Sequence, residues 1–208
     1  MARWSRRRPW LVGLAIAVSL LLAGAVGLWR ASKAWCFVFD GEVTCRAETE
    51  APVVALSLDD GPIPEGTTAA LAALDRAGAR ATFFLIGRYI EEEIARTAAL
   101  LERLGARGPR LFRPPFSKKL FGLPLAAGRL GHRLIMWDVG EPDTLDPRAY
   151  AAHIVERARP GSIILMHVMY RGNEVARAAL PLVLEALRRK GLRVVTVGEL
   201  LAGAEGRN

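Results

Sequence analysis

Val53-Val54-Ala55-Leu56-Ser57-Leu58-Asp59-Asp60-Gly61-Pro62 is the stretch whose reading decides the fold. An apolar run of this kind reads as a buried strand, and Gly61-Pro62 turns the chain just past it. Two adjacent carboxylates, Asp59 and Asp60, stand at that end. Side chains alternate along a strand, but past the last pairing the backbone bends, so both acids are expected to lean into one crevice. Carboxylates this close repel, and they stay ionised together only beside a cation or strong donors. A metal ligand next to a general base would have this arrangement. The simpler alternative is a capping Asp-Asp in a solvated turn.

Outward from this strand, apolar stretches alternate with helical ones. Further strands are expected at Ala81–Ile86, Arg110–Phe112, Arg133–Trp137, Ser162–Met166 and Arg193–Val197. Helices are expected at Thr67–Ala77 (ending on Gly78), Ile90–Leu104 (ending on Gly105), Pro147–Arg157 behind an Asp146 cap, and Glu174–Lys190 with a kink at Pro181. This alternation predicts an α/β fold on a parallel sheet, open or closed into a barrel. Asp59, Asp60, Arg113, Asp143 and His167 all fall at or just past C-terminal strand ends, the edge where such folds build active sites. Singly, each has a structural reading: a surface ion pair, a helix-leading cap, a satisfied loop histidine.

The front of the chain is different in kind. Trp10 to Trp29 is twenty residues without a charge, preceded by Arg3, Arg6, Arg7 and Arg8. That length spans a bilayer core of about 30 Å. The denser basic cluster before it favours a cytoplasmic N-terminus and an exported domain. Ala23-Gly24-Ala25 also fits a signal-peptide cleavage site, so an anchor and a chain secreted after cleavage at Ala25 both stand. The net charge of +8 comes mostly from here: residues 1–33 carry six basic side chains and no acidic one. The remainder is nearly balanced, which removes the main support for a nucleic-acid partner.

The two cysteines, Cys36 and Cys45, are symmetric about Asp40-Gly41, a dipeptide that favours a two-residue hairpin turn. Counting outward pairs Val38 with Val43, Phe37 with Thr44 and Cys36 with Cys45, the last in a non-hydrogen-bonded pair where side chains lie closest. A disulfide is expected in an oxidising compartment. The chain thus divides into a basic tail and span over residues 1–30, a hairpin-containing connector over 31–51, and the strand–helix domain over 52–203.

Leu58-Asp59-Asp60-Gly61-Pro62, Ala81-Thr82-Phe83-Phe84-Leu85-Ile86-Gly87, Phe112-Arg113-Pro114-Pro115-Phe116, Trp137-Asp138-Val139 with Asp143, and Gly161-Ser162-Ile163-Ile164-Leu165-Met166-His167 together resemble the polysaccharide deacetylase family, the NodB homology domain. The resemblance runs from about Val53 to Leu201. It implies a distorted β/α barrel and metal-dependent removal of N-acetyl groups from a glycan such as peptidoglycan or a chitin-like polymer. By position, Asp59 would be the general base, Asp60 a ligand to a divalent metal (zinc first), and Arg113 the group that holds Asp59 ionised. The backbone N–H near Phe116 would serve the oxyanion, and Leu165 would line the acetyl pocket. His167 would protonate the leaving amine, with Asp143 tuning its pKa. Amide cleavage needs these parts: an activated water, an oxyanion site and a proton for nitrogen.

One motif is missing. The family's His-x-x-x-His pair supplies its other two metal ligands, and this chain has only His132, His153 and His167, none four apart. Gly87-Arg88-Tyr89 passes almost directly into the next helix, so about one βα unit is absent, on the order of 30 residues. The barrel is expected to be incomplete and the metal site short of ligands. Gly140 stands where the fourth motif has its first Asp, and Thr144 where it has Trp. Three readings follow: a hydrolase that recruits ligands from elsewhere, a membrane-tethered remnant that binds glycan or a partner without hydrolysis, and a deacetylase whose segment was lost by deletion or a gene-model error.

Overall fold

The computed structural model describes residues 9–33, 36–38, 40–61, 63–85, 110–114, 123–170 and 172–206. The expected helix Ile90–Leu104 and Phe116 lie outside them. The elements are α1 (Pro9–Lys33), β1 (Val43–Thr44), β2 (Val53–Gly61), α2 (Pro64–Ala77), β3 (Thr82–Leu85), β4 (Leu111–Phe112), α3 (Leu123–Arg129), β5 (Arg133–Ile135), α4 (Pro147–Arg157), β6 (Ile163–Met166), α5 (Glu174–Arg189), β7 (Arg193–Val195) and α6 (Val197–Glu205).

β2 is the central strand because its apolar run is buried on both faces, from Val53 to Leu58. One edge pairs in parallel with β6 through Ala55–Leu58. The other is shared by β7, which pairs with Val53–Ala55, and β3, which pairs with Ser57–Gly61. β5 pairs in parallel with β4. Its continuation reaches β6 through a parallel bridge between Val139 and Ile164, so the strands run in the order β4–β5–β6–β2–β3. Alternation along the strands divides the core in two. Val54, Leu56, Leu58, Ile164 and Met166 pack against α2, α4 and α5. Ala55, Ile163, Ile135 and Val195 face the other way, closed over by Leu200 and Leu201 of α6.

Local chemistry sets the helix ends. Asp146 caps α4 by accepting the N–H groups of Arg148 (3.0 Å) and Ala149 (3.4 Å), with Pro147 in the first turn. Thr196 and Glu199 form a reciprocal capping box on α6. α2 starts at Pro64 rather than Thr67, since proline in a first turn forfeits no hydrogen bond. α5 continues through Pro181.

The connector behaves differently from the expected hairpin. Cys36 and Cys45 are joined by a disulfide, their Cα atoms 5.9 Å apart. Yet among the described residues β1 pairs with β5, in parallel, Val43 with Leu134 and Thr44 with Ile135, and not with Val38 and Phe37. The chain then crosses to β6, where Arg46 bridges Ser162 and the Ala47 N–H donates to the Gly161 carbonyl at 2.9 Å. Residues 43–47 therefore fill the gap between the lower ends of β5 and β6. Gly161 permits this approach: it takes φ +83°, and a Cβ there would stand 2.0 Å from the Ala47 carbonyl oxygen. The exposed edge groups of β5 outcompete the local symmetry about Asp40-Gly41.

α1 holds a 22-residue stretch, Trp10–Ala31, long and apolar enough to cross a membrane, and none of it is buried. A signal sequence has the same properties.

Candidate active site

Alternation puts Ala55, Ser57 and Asp59 of β2 on one face with Ile163, Leu165 and the residue after β6, His167. Asp60 would point the opposite way in a regular strand. The pairing of β2 with β3 slips between Asp59 and Gly61, leaving Asp60 as the extra residue of a bulge, and its φ is +70°. Bulges re-aim side chains at strand ends. Here the bulge brings Asp60 Oδ2 to 3.9 Å from His167 Nε2. A non-glycine residue held in the left-handed region stores strain of the kind that collects at functional sites.

Arg113 follows β4 and reaches inward. Its Nη1 donates to Asp59 Oδ1 at 2.5 Å and to Ser57 Oγ at 2.9 Å. Nε donates to the Ile135 carbonyl at 3.1 Å, and Nη2 to that of Met136 at 3.0 Å. The guanidinium also lies over the rings of Phe84 (4.2 Å) and Trp137 (5.2 Å). With the side chains 4% and 14% exposed, this is a buried ion pair, tolerable because the cation's other donors are used as well. Burial pushes the Asp59 carboxyl above the ordinary aspartate value, and Arg113 opposes that rise. A carboxylate moved this way becomes a better proton acceptor. Ser57 completes the arrangement by donating to the Ile164 carbonyl at 2.8 Å, tying the ion pair to β6.

His167 is held by Glu141, not by Asp143. Glu141 Oε2 lies 2.6 Å from Nδ1, and Oε1 accepts the His167 backbone N–H at 2.7 Å and the Tyr150 hydroxyl at 2.5 Å. The reason lies in the register. Because Val139 pairs with Ile164, the residue two further on runs level with the top of β6, beside His167. Pro142 follows, and Asp143 is exposed. Asp138 secures the lower part of this crossing, accepting from Ser162 Oγ (3.0 Å) and the Ile163 N–H (2.9 Å).

The hydrogen bond from Glu141 raises the His167 pKa above its ordinary value, against burial, with the charges of Glu141, Asp59 and Asp60 adding to the rise. Burial works against the charge of Glu141, but its hydrogen bonds to the His167 side chain and backbone outweigh that and lower its pKa. The contact thus favours the charged form of each partner, with Nε2 left on the side of Asp60. Leu165 is buried one step below His167 on the same face. His132 precedes β5 at the opposite edge, and His153 is half-buried in α4.

The donor set does not fit a three-ligand metal centre. Asp60 and His167 approach each other, but among the described residues no group of three or more His, Cys, Asp or Glu converges. Sequence reasoning missed Glu141, Ser57 and Tyr150. Glu141 had a signal, a carboxylate one residue beyond the glycine that replaces the expected aspartate; the other two had none.

Residues 46–93 match the model of the polysaccharide deacetylase family. A peptidoglycan-N-acetylglucosamine deacetylase of Bacillus cereus is 27% identical in an alignment taking in 77% of this chain and 93% of that protein. The alignment runs over 204 positions, more than the residues this chain contributes to it, so the relative carries residues that are absent here. Among solved structures, a peptidoglycan N-acetylglucosamine deacetylase in complex with a hydroxamate-type ligand superposes with a TM-score of 0.66 at 24% identity, over 77% of this chain and 92% of that one. A wild-type CE4 family pseudoenzyme from Bacillus anthracis superposes with 0.65 at 20% identity, over 78% and 70%. These two likenesses speak for the fold. Residues 46–93, together with the motif residues gathered at one strand edge, thus carry the polysaccharide deacetylase pattern in a form shorter than these relatives.

Proposed function

We propose that this chain is an α1-anchored, envelope-facing protein that binds N-acetylated glycan of the peptidoglycan type at the Asp59–His167 edge, with hydrolysis impaired. The observation that carries this reading is the contrast within the site. Both proton-handling pairs, Asp59 with Arg113 and His167 with Glu141, are intact, whereas beside Asp60 and His167 Nε2 no third metal-type donor converges among the described residues. Members of the family are generally metal-dependent. Two protein donors leave a zinc ion weakly held, and the Lewis acidity that activates water and steadies the oxyanion is worth several kcal/mol.

In this reading Asp59 accepts a hydrogen bond from a bound water or sugar hydroxyl, and Arg113 fixes its orientation. His167 presents Nε2–H towards the acetamido group, with Glu141 in the place expected for Asp143. Leu165 contributes apolar surface for the acetyl methyl. The peptidoglycan assignment follows the similar Bacillus cereus protein, and the strand order supports an incomplete barrel.

The test uses the full chain in detergent with insoluble peptidoglycan. Co-sedimentation that is weakened by His167→Ala, with acetate release at background with or without added zinc, supports the proposal. Sustained acetate release that disappears in Asp59→Asn would overturn it and make the chain an active deacetylase.

A further inference from the structure

The edge of the domain opposite the candidate site carries an unmatched basic surface. Between the last turn of α2 and the turn from α5 into β7 lies a groove of about 660 Å³ framed by Arg76, Arg188 and Arg193. All three arginines are exposed, and among the described residues none has an ion-pair partner. Neighbouring charges are already engaged. Glu185, which lines the groove, faces Arg189 at 4.0 Å, and Glu199, the acid that Arg193 acts on at a distance, is paired with Arg80. The Lys190 ammonium caps α4, donating to the carbonyls of Val155 (2.5 Å) and Ala158 (2.8 Å). Asp75, next to Arg76, and Glu50, two residues before the Pro52 carbonyl that accepts the Arg193 N–H, are further exposed acids at this edge, while Glu48 pairs with Arg46 and Glu156 with Arg157.

α1 joins the domain at this same edge. Thr44 is level with Ile135, and Val139 with Ile164, which puts Cys45 level with Gly161, six residues below His167. At about 3.3 Å per residue the connector enters about 20 Å below the candidate site. The disulfide pins Cys36 to that level, and only residues 34 and 35 separate it from the end of α1.

We propose that this basal face, centred on Arg76, Arg188 and Arg193, docks onto anionic lipid headgroups of the membrane that holds α1, turning the Asp59–His167 edge outward. The inference rests on the anchor reading above. Guanidinium groups held within a Debye length of an anionic surface are drawn to it, and the short, cross-linked connector keeps them in that range.

The full chain is reconstituted into phosphatidylcholine vesicles with or without phosphatidylglycerol. A fluorophore is placed at Asp75→Cys on the basal face or at Leu145→Cys on the opposite rim, and energy transfer to a headgroup-bound acceptor is read. Transfer from the basal site that exceeds the rim site several-fold only with phosphatidylglycerol supports docking. Charge reversal at the three arginines, or high salt, then lowers the docked fraction about tenfold. Should the triple variant fail to fold, Arg76→Gln with Arg188→Gln gives the same readout. Equal transfer in both lipids, or a closer rim, overturns the proposal. Carbonate extraction reads the anchor separately: a chain released by alkali overturns the anchor and the docking together, whereas a retained chain with lipid-independent transfer overturns docking alone.

Discussion

The carboxylate of Glu141 grips His167 at two points, taking its backbone N–H at 2.7 Å and meeting Nδ1 at 2.6 Å. One side chain, itself steadied by the Tyr150 hydroxyl, therefore positions the imidazole and makes the largest contribution to raising its pKa.

The pH dependence follows from the two shifts. His167 is raised, so its contribution to stability is complete below the ordinary histidine value of 6.5 and is lost as pH rises through the folded value. Glu141 is lowered, so its contribution is complete above the ordinary glutamate value of 4.5 and is lost as pH falls through its folded value. Both are present between those limits. Glu141→Gln is expected to bring the His167 titration down towards or below its ordinary value, read from the imidazole resonances across a pH series. An unchanged titration would show that Asp60 or Asp59, not Glu141, dominates.

Arg113→Met removes the cation but leaves Asp59, Ser57 and the carbonyls of Ile135 and Met136 facing apolar surroundings. Breaking a buried pair from one side costs about 3–5 kcal/mol, so the variant is expected to unfold at far lower denaturant. Arg113→Lys keeps the charge but not the planar fork, and should fall between the two.

Asp60→Gly relieves the strain of φ +70° at the bulge. The expected gain is about 1 kcal/mol of stability, visible as a higher Tm, together with loss of the carboxylate near His167 Nε2. A lower Tm would mean that the Asp60–His167 attraction outweighs the backbone strain.

Zinc binding by the folded chain should be weak. With Asp60 and His167 as the approaching donors, titration is expected to give no stoichiometric complex at micromolar concentration, and chelator should leave Tm unchanged. A tight site that is lost in Asp60→Asn would contradict this.

Replacing both Cys36 and Cys45 by Ser opens a loop of nine residues' separation. Chain entropy assigns such a closure about 2–3 kcal/mol, so Tm should fall by several degrees in chemical and thermal unfolding alike.

Much of this architecture is legible locally. β2 announces itself because a strand buried on both faces needs an unbroken apolar run, and Asp146-Pro147 marks the start of α4 with a cap and a preset φ. Gly78 and Gly191 close α2 and α5 in left-handed conformations, at φ +59° and +81°. What escaped is set by distant partners. The parallel pairing of β1 depends on an edge of β5 some ninety residues away, while the neighbouring sequence argues for a hairpin. Glu141 rather than Asp143 reaches His167 because of a register between β5 and β6 that neither segment encodes alone. Asp59 and Arg113, by contrast, could be paired in advance through the family pattern, since each stands at the C-terminal end of its strand on the same edge.

On the proposed anchoring through α1, the stitching of residues 43–47 into the sheet has a consequence for release from a membrane. A protease cutting at the exposed Gly41 would leave the two halves joined through Cys36–Cys45, and the downstream half hydrogen-bonded to β5 and β6. Cleavage there frees nothing until the disulfide is also reduced. Shedding by that route takes two unlike chemical events, proteolysis and reduction, and either alone leaves the domain where it stood.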